Sequence, residues 1–311
     1  MKYNLSYIKS VLSYIRVIPA LLGRCPRRGN LILYITNRCN SKCKICNHWQ
    51  QEPKDLSIWT IHELMHSKTV GTSNWTIEGG EAFCHPDIDR ILWMLEKHKV
   101  NYVLFTNGIL TERIVSAVKK YRIKSVNVSW DGMKETYLRV RGVDGYASTL
   151  NTIHILKDIT NLQIVFTASP WNSYEDYLDV KDYCDKYKVR LMFNIYSEAA
   201  KSGKFTDNLI DVRYENISPY AKYYNKWVRK LVSVPCYSSL FTIPVFPTGD
   251  VNLCVSQFIP IGNVYKNSID EIWNSKEVRR IQKYNIHCNN CWVSCYRNFD
   301  VKLAKMKGEL K

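Results

Sequence analysis

From residue 30 onward, apolar and polar positions alternate with two different periods. Six short runs, LILYIT (31–36), NWTIEG (74–79), NYVLFT (101–106), KSVNVSW (124–130), LQIVFTA (162–168) and VRLMFNI (189–195), are rich in Val, Ile, Phe and Tyr. Their length and composition predict β-strands. Between them, amphipathic stretches near 60–67, 87–98, 111–121, 146–158 and 174–187 predict helices. In the second, Ile88, Ile91, Leu92 and Leu95 recur at helical spacing, with Asp87 and Asp89 in the first turn. Alternating strands and helices predict an α/β fold with a parallel sheet and right-handed crossovers. Six such units make a partial (β/α)6 TIM-like barrel, which places its chemistry at the carboxyl ends of its strands.

The pattern changes after about residue 200. KSGKFTDN is polar and loop-like, and a helix near 218–232 follows. In SSLFTIPVFPTGDVNLCVSQ, two strand-like halves flank Pro247-Thr248-Gly249-Asp250, which predicts a β-hairpin. A helix near 268–283 precedes CNNCWVSC. The expected organisation is an N-terminal amphipathic helix and basic linker (1–29), a barrel core (30–200), a linker and helix (201–232) and a small hairpin-plus-helix domain (233–311). Ahead of the first strand, Leu5, Ile8, Leu12 and Ile15 share one helical face, opposite Lys9, Ser13 and Arg16. Arg24, Arg27 and Arg28 follow. Two readings stand: peripheral contact with an anionic membrane, or a helix packed over one end of the core. No window of about 18 uncharged apolar residues predicts a transmembrane helix.

Composition narrows the partners. The chain has 311 residues, enough for one large domain or a domain with an appendage. Lys and Arg outnumber Asp and Glu by 44 to 28, a formal charge of +16. That favours anionic partners, but the basic residues are scattered, without the block a nucleic-acid binder shows. Nucleic acid is therefore not expected. Eleven cysteines are many, and Lys9, Arg16 and Arg24 interrupt any secretory signal. Metal ligation in a reducing, cytoplasmic compartment fits an odd, clustered set better than disulfides do.

Cys39, Cys43 and Cys46 follow the first strand directly, spaced C-x3-C-x2-C. Such a loop can hold three irons of a cubane cluster and leave the fourth open, or bind zinc with His48 as a fourth ligand. Further polar groups fall at later strand ends: Gly79-Gly80-Glu81, Thr106-Asn107-Gly108, Ser129-Trp130-Asp131-Gly132 and, shortly after, Arg141-Gly142. Adjacent glycines admit close backbone approach, and a carboxylate can receive an ammonium. Taken singly each is an ordinary turn. In this order they converge on one mouth.

CNSKCKIC followed by EGGEAFCHPDI, LFTNG, VSWDG and RVRG resembles the radical S-adenosylmethionine (SAM) superfamily over residues 30 to about 200. The resemblance implies that Cys39, Cys43 and Cys46 hold a 4Fe–4S cluster whose open iron is chelated by the amino and carboxylate groups of SAM. It implies that Gly79, Gly80 and Glu81 meet the SAM amino group, and that Asn107, Ser129 and Arg141 are candidates for its ribose and carboxylate. Two positions depart from the family pattern: Ile45 replaces an aromatic residue, and Trp130 an aliphatic one. Each bears on adenine stacking or pocket shape.

Downstream, Cys236, Gly249-x4-Cys254 and Cys288-x2-Cys291-x3-Cys295 resemble the SPASM/Twitch extension of such enzymes. Fewer cysteines than in a full SPASM domain imply one auxiliary 4Fe–4S cluster, held by Cys236, Cys254, Cys288 and Cys291, with Cys295 as alternate. A structural zinc in the same positions is the competing reading. Cys25, Cys84 and Cys184 have no ligand-like neighbours and read as ordinary thiols.

The implied activity is reductive cleavage of SAM to a 5′-deoxyadenosyl radical, which abstracts hydrogen from a substrate C–H bond. A one-electron reductant such as flavodoxin or ferredoxin would feed the cluster, and the auxiliary cluster would take up an electron, making a net oxidation. A peptide or protein side chain is the first substrate class. A sugar, aminocyclitol or lipid-linked glycan is the second, favoured by the short extension and by the expected membrane-contacting helix, and no leader-binding domain is apparent before the first strand, which weighs against a peptide. A basic zinc protein that binds nucleic acid is the reading from another class, and it has no use for the strand-end series.

Overall fold

The computed structural model describes residues 29–72, 74–198, 207–256 and 259–310. The expected N-terminal amphipathic helix and Cys25 lie outside the described residues. All six expected strands form: β1 (Asn30–Tyr34), β2 (Trp75–Glu78), β3 (Tyr102–Thr106), β4 (Ser125–Ser129), β5 (Asn161–Ala168) and β6 (Arg190–Ile195). They lie side by side in parallel, each beside its neighbour in sequence. The connecting helices are α1 (Ile58–His66), α2 (Ile88–Lys97), α3 (Thr111–Lys120), α4 (Lys134–Arg141), α5 (Tyr146–Leu156) and α6 (Tyr174–Tyr187). This is the partial TIM-like barrel that the alternation predicts.

The core forms between sheet and helices. Leu31 and Leu33 of β1 and Ile91, Leu92 and Leu95 of α2 are wholly buried. Each such side chain contributes about 1.5–3 kcal/mol by leaving water. Helix starts are set locally. Ser173 accepts from the Asp176 amide while the Asp176 carboxylate accepts from Ser173, a capping box that opens α6.

Beyond the barrel come α7 (Ala221–Val228), β7 (Thr242–Val245), β8 (Asp250–Asn252), β9 (Pro260–Asn263), α8 (Ile269–Asn274), α9 (Lys276–Asn285) and α10 (Ser294–Met306). The expected hairpin is present: β7 and β8 pair antiparallel around the Pro247–Asp250 turn. Its first strand also extends the barrel sheet, because β7 lies parallel to β1 with Asn30 opposite Thr242. The sheet therefore runs through nine strands in the order β6-β5-β4-β3-β2-β1-β7-β8-β9.

Three helical expectations are corrected. The stretch near 268–283 is two helices, broken at Ser275, whose extended backbone (φ −63°, ψ 151°) ends α8 while its hydroxyl accepts from Val278 to start α9. The helix near 218–232 is shorter, Ala221–Val228. Helices α4 and α10 form where no helix was expected. No helix among the described residues is long and apolar enough to cross a membrane.

Candidate active site

The carboxyl ends of β1 to β4 surround a cavity of about 210 Å³. Cys39, Cys43, Cys46, Gly79, Gly80, Glu81, Asn107, Ser129 and Arg141 all line it. The cysteine loop leaves β1 and is pinned on two sides. On one, the Gly80 amide donates to Thr36 O (2.7 Å) and the Glu81 amide to Arg38 O (2.8 Å). On the other, the Lys42 and Lys44 amides donate to the Arg141 and Val140 carbonyls at the end of α4 (3.0 and 2.9 Å). The thiols receive N–H groups: Ser41 N to Cys39 Sγ (3.4 Å), His48 N to Cys46 Sγ (3.5 Å) and Arg141 Nη1 to Cys43 Sγ (3.8 Å). Burial raises Cys39 to about 12 and also pushes Cys46 up. Such thiols stay protonated until a metal cation offsets the burial, and then they ionise.

Several of the residues expected at the ligand also support the cysteine loop. A Cβ on Gly79 would meet Thr36 O at 2.6 Å, and one on Gly80 would meet Asn37 O at 2.7 Å. The glycines admit the chain's own cysteine loop. The Glu81 carboxylate, 2% exposed, accepts from Thr106 Oγ1 (2.8 Å), Asn107 N (2.7 Å) and Phe83 N (3.2 Å). Burial raises its pKa and these bonds oppose the rise. It fastens the end of β2 to the end of β3. The Asn107 amide donates to Asn40 Oδ1 (2.7 Å), between two of the cysteines. Arg141 pairs with fully buried Asp131, which also accepts from Thr167 N (2.8 Å). Gly142 ends α4 in the left-handed region (φ +69°), and a Cβ there would meet Lys42 O at 2.5 Å. Trp130 does not line the cavity: it is buried with its ring edge-on to Tyr183 at 4.9 Å. Ile45 does line it.

Sequence reasoning missed Glu78 as a lining group and Tyr34 behind it. Glu78, last in β2, is held by burial at a pKa of about 7, with a Tyr34 hydrogen bond opposing the rise. Tyr34 is sandwiched between His48 (5.2 Å) and Phe246 (4.8 Å, 2° between planes). His48 thus stacks on an aromatic ring. The Trp49 indole donates to the Cys43 and Cys46 carbonyls (3.2 and 3.1 Å) and clasps the loop. The available signal was a carboxylate closing an otherwise apolar strand, one residue before the glycines.

A second, enclosed cavity is lined by Cys236, Cys254, Cys288 and Cys291. The Cys236 amide donates to Cys288 O (2.7 Å), tying the start of the hairpin to the loop after α9. Buried Arg297 donates to Cys291 O (Nε, 3.0 Å) and to Val234 O, and faces Asp300 at 3.4 Å. Burial raises Cys236 strongly and Cys291 to about 11, while the Arg297 charge pulls both down. Cys295, the second residue of α10, does not line this cavity. It keeps solvent access, yet protein crowds its thiol, burial raises it to about 12, and Glu78 adds to the rise. Cys84 and Cys184 join neither cavity.

The donor sets suit iron–sulfur clusters. The cysteines ring two cavities, and a cluster takes one thiolate per iron. In the first cavity Arg141 Nε and, beside the cysteines, Ser41 Oγ are buried without a hydrogen-bond partner, which leaves polar capacity for a charged ligand.

Comparisons with known proteins agree. Residues 33–184 match the family described as the radical SAM superfamily, and residues 236–292 match the family described as an iron-sulfur cluster-binding domain, SPASM. The antilisterial bacteriocin subtilosin biosynthesis protein AlbA of Bacillus subtilis is 25% identical over 84% of this chain. The chain spans 64% of that relative's length. A probable GTP 3′,8-cyclase of Methanocaldococcus jannaschii is 27% identical over 50% of this chain and 54% of its own. Among solved structures, Streptococcus suis SuiB bound to S-adenosylmethionine superposes with a TM-score of 0.67 at 16% identity, covering 91% of this chain and 74% of SuiB. SuiB bound to its precursor peptide SuiA gives 0.67 at 17% identity, over 90% and 72%. At that identity the likeness speaks for the fold.

Proposed function

We propose that this chain, which belongs to the radical SAM superfamily and carries a SPASM-type iron–sulfur domain, is an oxidative peptide-modifying enzyme. The observation that carries the reading is that Cys39, Cys43 and Cys46 open on one cavity with the strand-end groups of β2, β3 and β4. When bound there, a reduced 4Fe–4S cluster and SAM supply a 5′-deoxyadenosyl radical that removes hydrogen from an unactivated C–H bond. The chain's own residues hold and orient. The three cysteines would carry the cluster, and Cys236, Cys254, Cys288 and Cys291 the auxiliary one. Arg141 Nε is the unpartnered donor for a carboxylate. Glu81 and Asn107 keep the cysteine loop in register with β3. Glu78, with its pKa of about 7, is suited to accept the proton that a net oxidation releases. Tyr296 lines the auxiliary cavity and lies within electrostatic reach of Tyr34 and Glu78, which links the two sites.

A peptide substrate is supported by AlbA, a bacteriocin biosynthesis protein, and by the SuiB complex with a precursor peptide. The GTP cyclase likeness covers 50% of this chain, against 84% for AlbA. A formal charge of +16 suits docking of an acidic one-electron carrier of the flavodoxin or ferredoxin class. We place the division of labour at 30–200 for radical generation and 233–311 for the auxiliary cluster, joined through 201–232.

The test is anaerobic reconstitution with iron and sulfide, followed by reaction with SAM, a reductant and deuterium-labelled peptides. The expected result is 5′-deoxyadenosine carrying label, with a peptide that has lost hydrogen. A colourless, zinc-holding protein that leaves SAM intact would overturn the reading. Label transfer from a labelled sugar or nucleotide but from no peptide would overturn the substrate class alone.

A further inference from the structure

Three histidines meet on the outside of the barrel, away from both cysteine cavities. His62 and His66 stand one turn apart on α1, in the stretch His62-Glu63-Leu64-Met65-His66. His98 caps the carboxyl end of α2. Their rings form a closed triangle: His62 to His66 is 4.6 Å between centroids, His66 to His98 5.2 Å, and His62 to His98 5.5 Å. Three imidazoles on one ion sit about this far apart, since zinc–nitrogen bonds are about 2.0–2.1 Å and the angles tetrahedral.

Two details prepare the rings as ligands. His66 Nδ1 lies 3.0 Å from His62 O. A carbonyl only accepts, so Nδ1 carries the proton and the Nε2 lone pair is left for a metal. Metal-binding histidines are commonly oriented by such a bond to backbone carbonyl. His62 Nδ1 is buried without a hydrogen-bond partner, and the nearest anion is the Glu63 carboxylate at 3.6 Å. An unpartnered buried nitrogen is a cost that a ligand removes.

We propose that His62, His66 and His98 form a binding site for a borderline divalent cation of the zinc class, with the fourth position open beside Glu63. Imidazole nitrogens select zinc, nickel or copper over magnesium and calcium. The His62 and His98 rings must turn on their side-chain torsions to close on the ion while His66 keeps its bond to His62 O, because no three described side chains already stand at metal-binding spacing. Lys97 and Lys99 flank His98 in sequence and oppose a cation, while Glu63 favours it.

The location gives the ion a consequence. Ser67, the residue after His66, ends α1 and donates through Oγ to Asp270 of α8 at 2.8 Å; the amides of Lys68 and Thr69 reach the same carboxylate. An ion that joins α1 to α2 would brace the corner on which the SPASM-bearing half docks.

The test uses the full chain with its iron–sulfur clusters reconstituted, so that the thiols are occupied, and adds equimolar zinc sulfate. Expected are one retained zinc per chain, unchanged iron, a zinc-edge absorption spectrum fitted by nitrogen and oxygen alone, and a zinc-dependent rise in melting temperature. His66→Ala and His98→Ala should each weaken zinc binding by about tenfold or more and abolish that rise. His98→Gln guards against a misfolded alanine variant, and His154→Ala, outside the triangle, should bind as the parent does. Sulfur in the zinc shell, undiminished binding by the His66 and His98 variants, or retention only at millimolar zinc would overturn the site.

Discussion

Gly80 shows how a single cavity-lining position supports the cysteine loop. Its would-be Cβ points at the carbonyls of Asn37 and Arg38, which are backbone and cannot swing away. Gly80→Ala must therefore push the cysteine loop off the end of β2, at a cost of about 1–3 kcal/mol. The variant should unfold at lower urea and retain less iron after reconstitution than the parent. An unchanged urea midpoint and full iron would refute this account of the glycine. Glu78 makes the complementary prediction in pH. Its carboxyl is raised from 4.5 to about 7 by burial. Between those values the folded chain holds a proton that the unfolded chain has released. Its contribution to stability is thus present below pH 4.5 and is lost as pH rises through 7. Glu78→Gln cannot titrate, so the melting temperature of the parent relative to the variant should decline between pH 5 and 7.5. Parallel curves would show that Glu78 titrates normally.

At the scale of elements, the barrel was legible and its extension only partly so. The six strands announce themselves because parallel strands covered by helices are continuous apolar runs. Helix α4 gave no such signal: in KETYLRVR the buried residues are Thr136, Tyr137, Val140 and Arg141, so half of its inner face is polar. Helix α10 hides for the same reason, since Arg297 and Asp300 are buried as a pair beside the cysteines. Hydrophobic periodicity cannot reveal a helix whose interior face is charged. The hairpin was expected, but not that its first strand joins the barrel sheet: Pro244, a residue usual on edge strands, lies against β1 opposite Ile32. The core site fared better. All nine expected lining residues converge, yet the roles of the two glycines and Glu81 only became visible once the loop's carbonyls were placed. Helix α10 also separates the five late cysteines. Cys254 lines the auxiliary cavity and Cys295 is turned toward Glu78. Cys254→Ser should therefore lose about half the reconstituted iron, as expected for one of two equal clusters, while Cys295→Ser keeps it. Equal losses in the two variants would make Cys295 a ligand.

At the scale of the molecule, the two halves share one sheet and one hydrophobic core. The continuous ladder from β1 to β7 supplies backbone bonds, and Asp270 ties α8 to the residues that follow α1. Burial alone would raise the Asp270 carboxyl, but hydrogen bonds from Thr69, Ser67 and Lys68 outweigh it and hold the group below its ordinary value. Its contribution is present above the ordinary pKa of 3.8 and is lost as pH falls through the lower folded value, so the fastening is complete at neutral pH. Hydrogen bonds to a charged group contribute about 1.5–3 kcal/mol. Asp270→Asn keeps the shape and removes the charge, and its amide can reproduce only part of the set. The corner carries α8, and α8 leads through α9 to Cys288 and Cys291, while the neighbouring barrel strand carries Cys39 to Cys46. A loosened corner therefore changes the relation between the two cavities before it unfolds either. The variant should keep both iron complements and cleave SAM near the parent rate, yet lower the fraction of cleavage events that yield oxidised peptide. Under the proposed function, electron transfer from substrate to the auxiliary cluster would depend on that relation, whereas SAM cleavage would be confined to the barrel. Loss of SAM cleavage in step with peptide oxidation would instead mean that Asp270 supports the barrel itself.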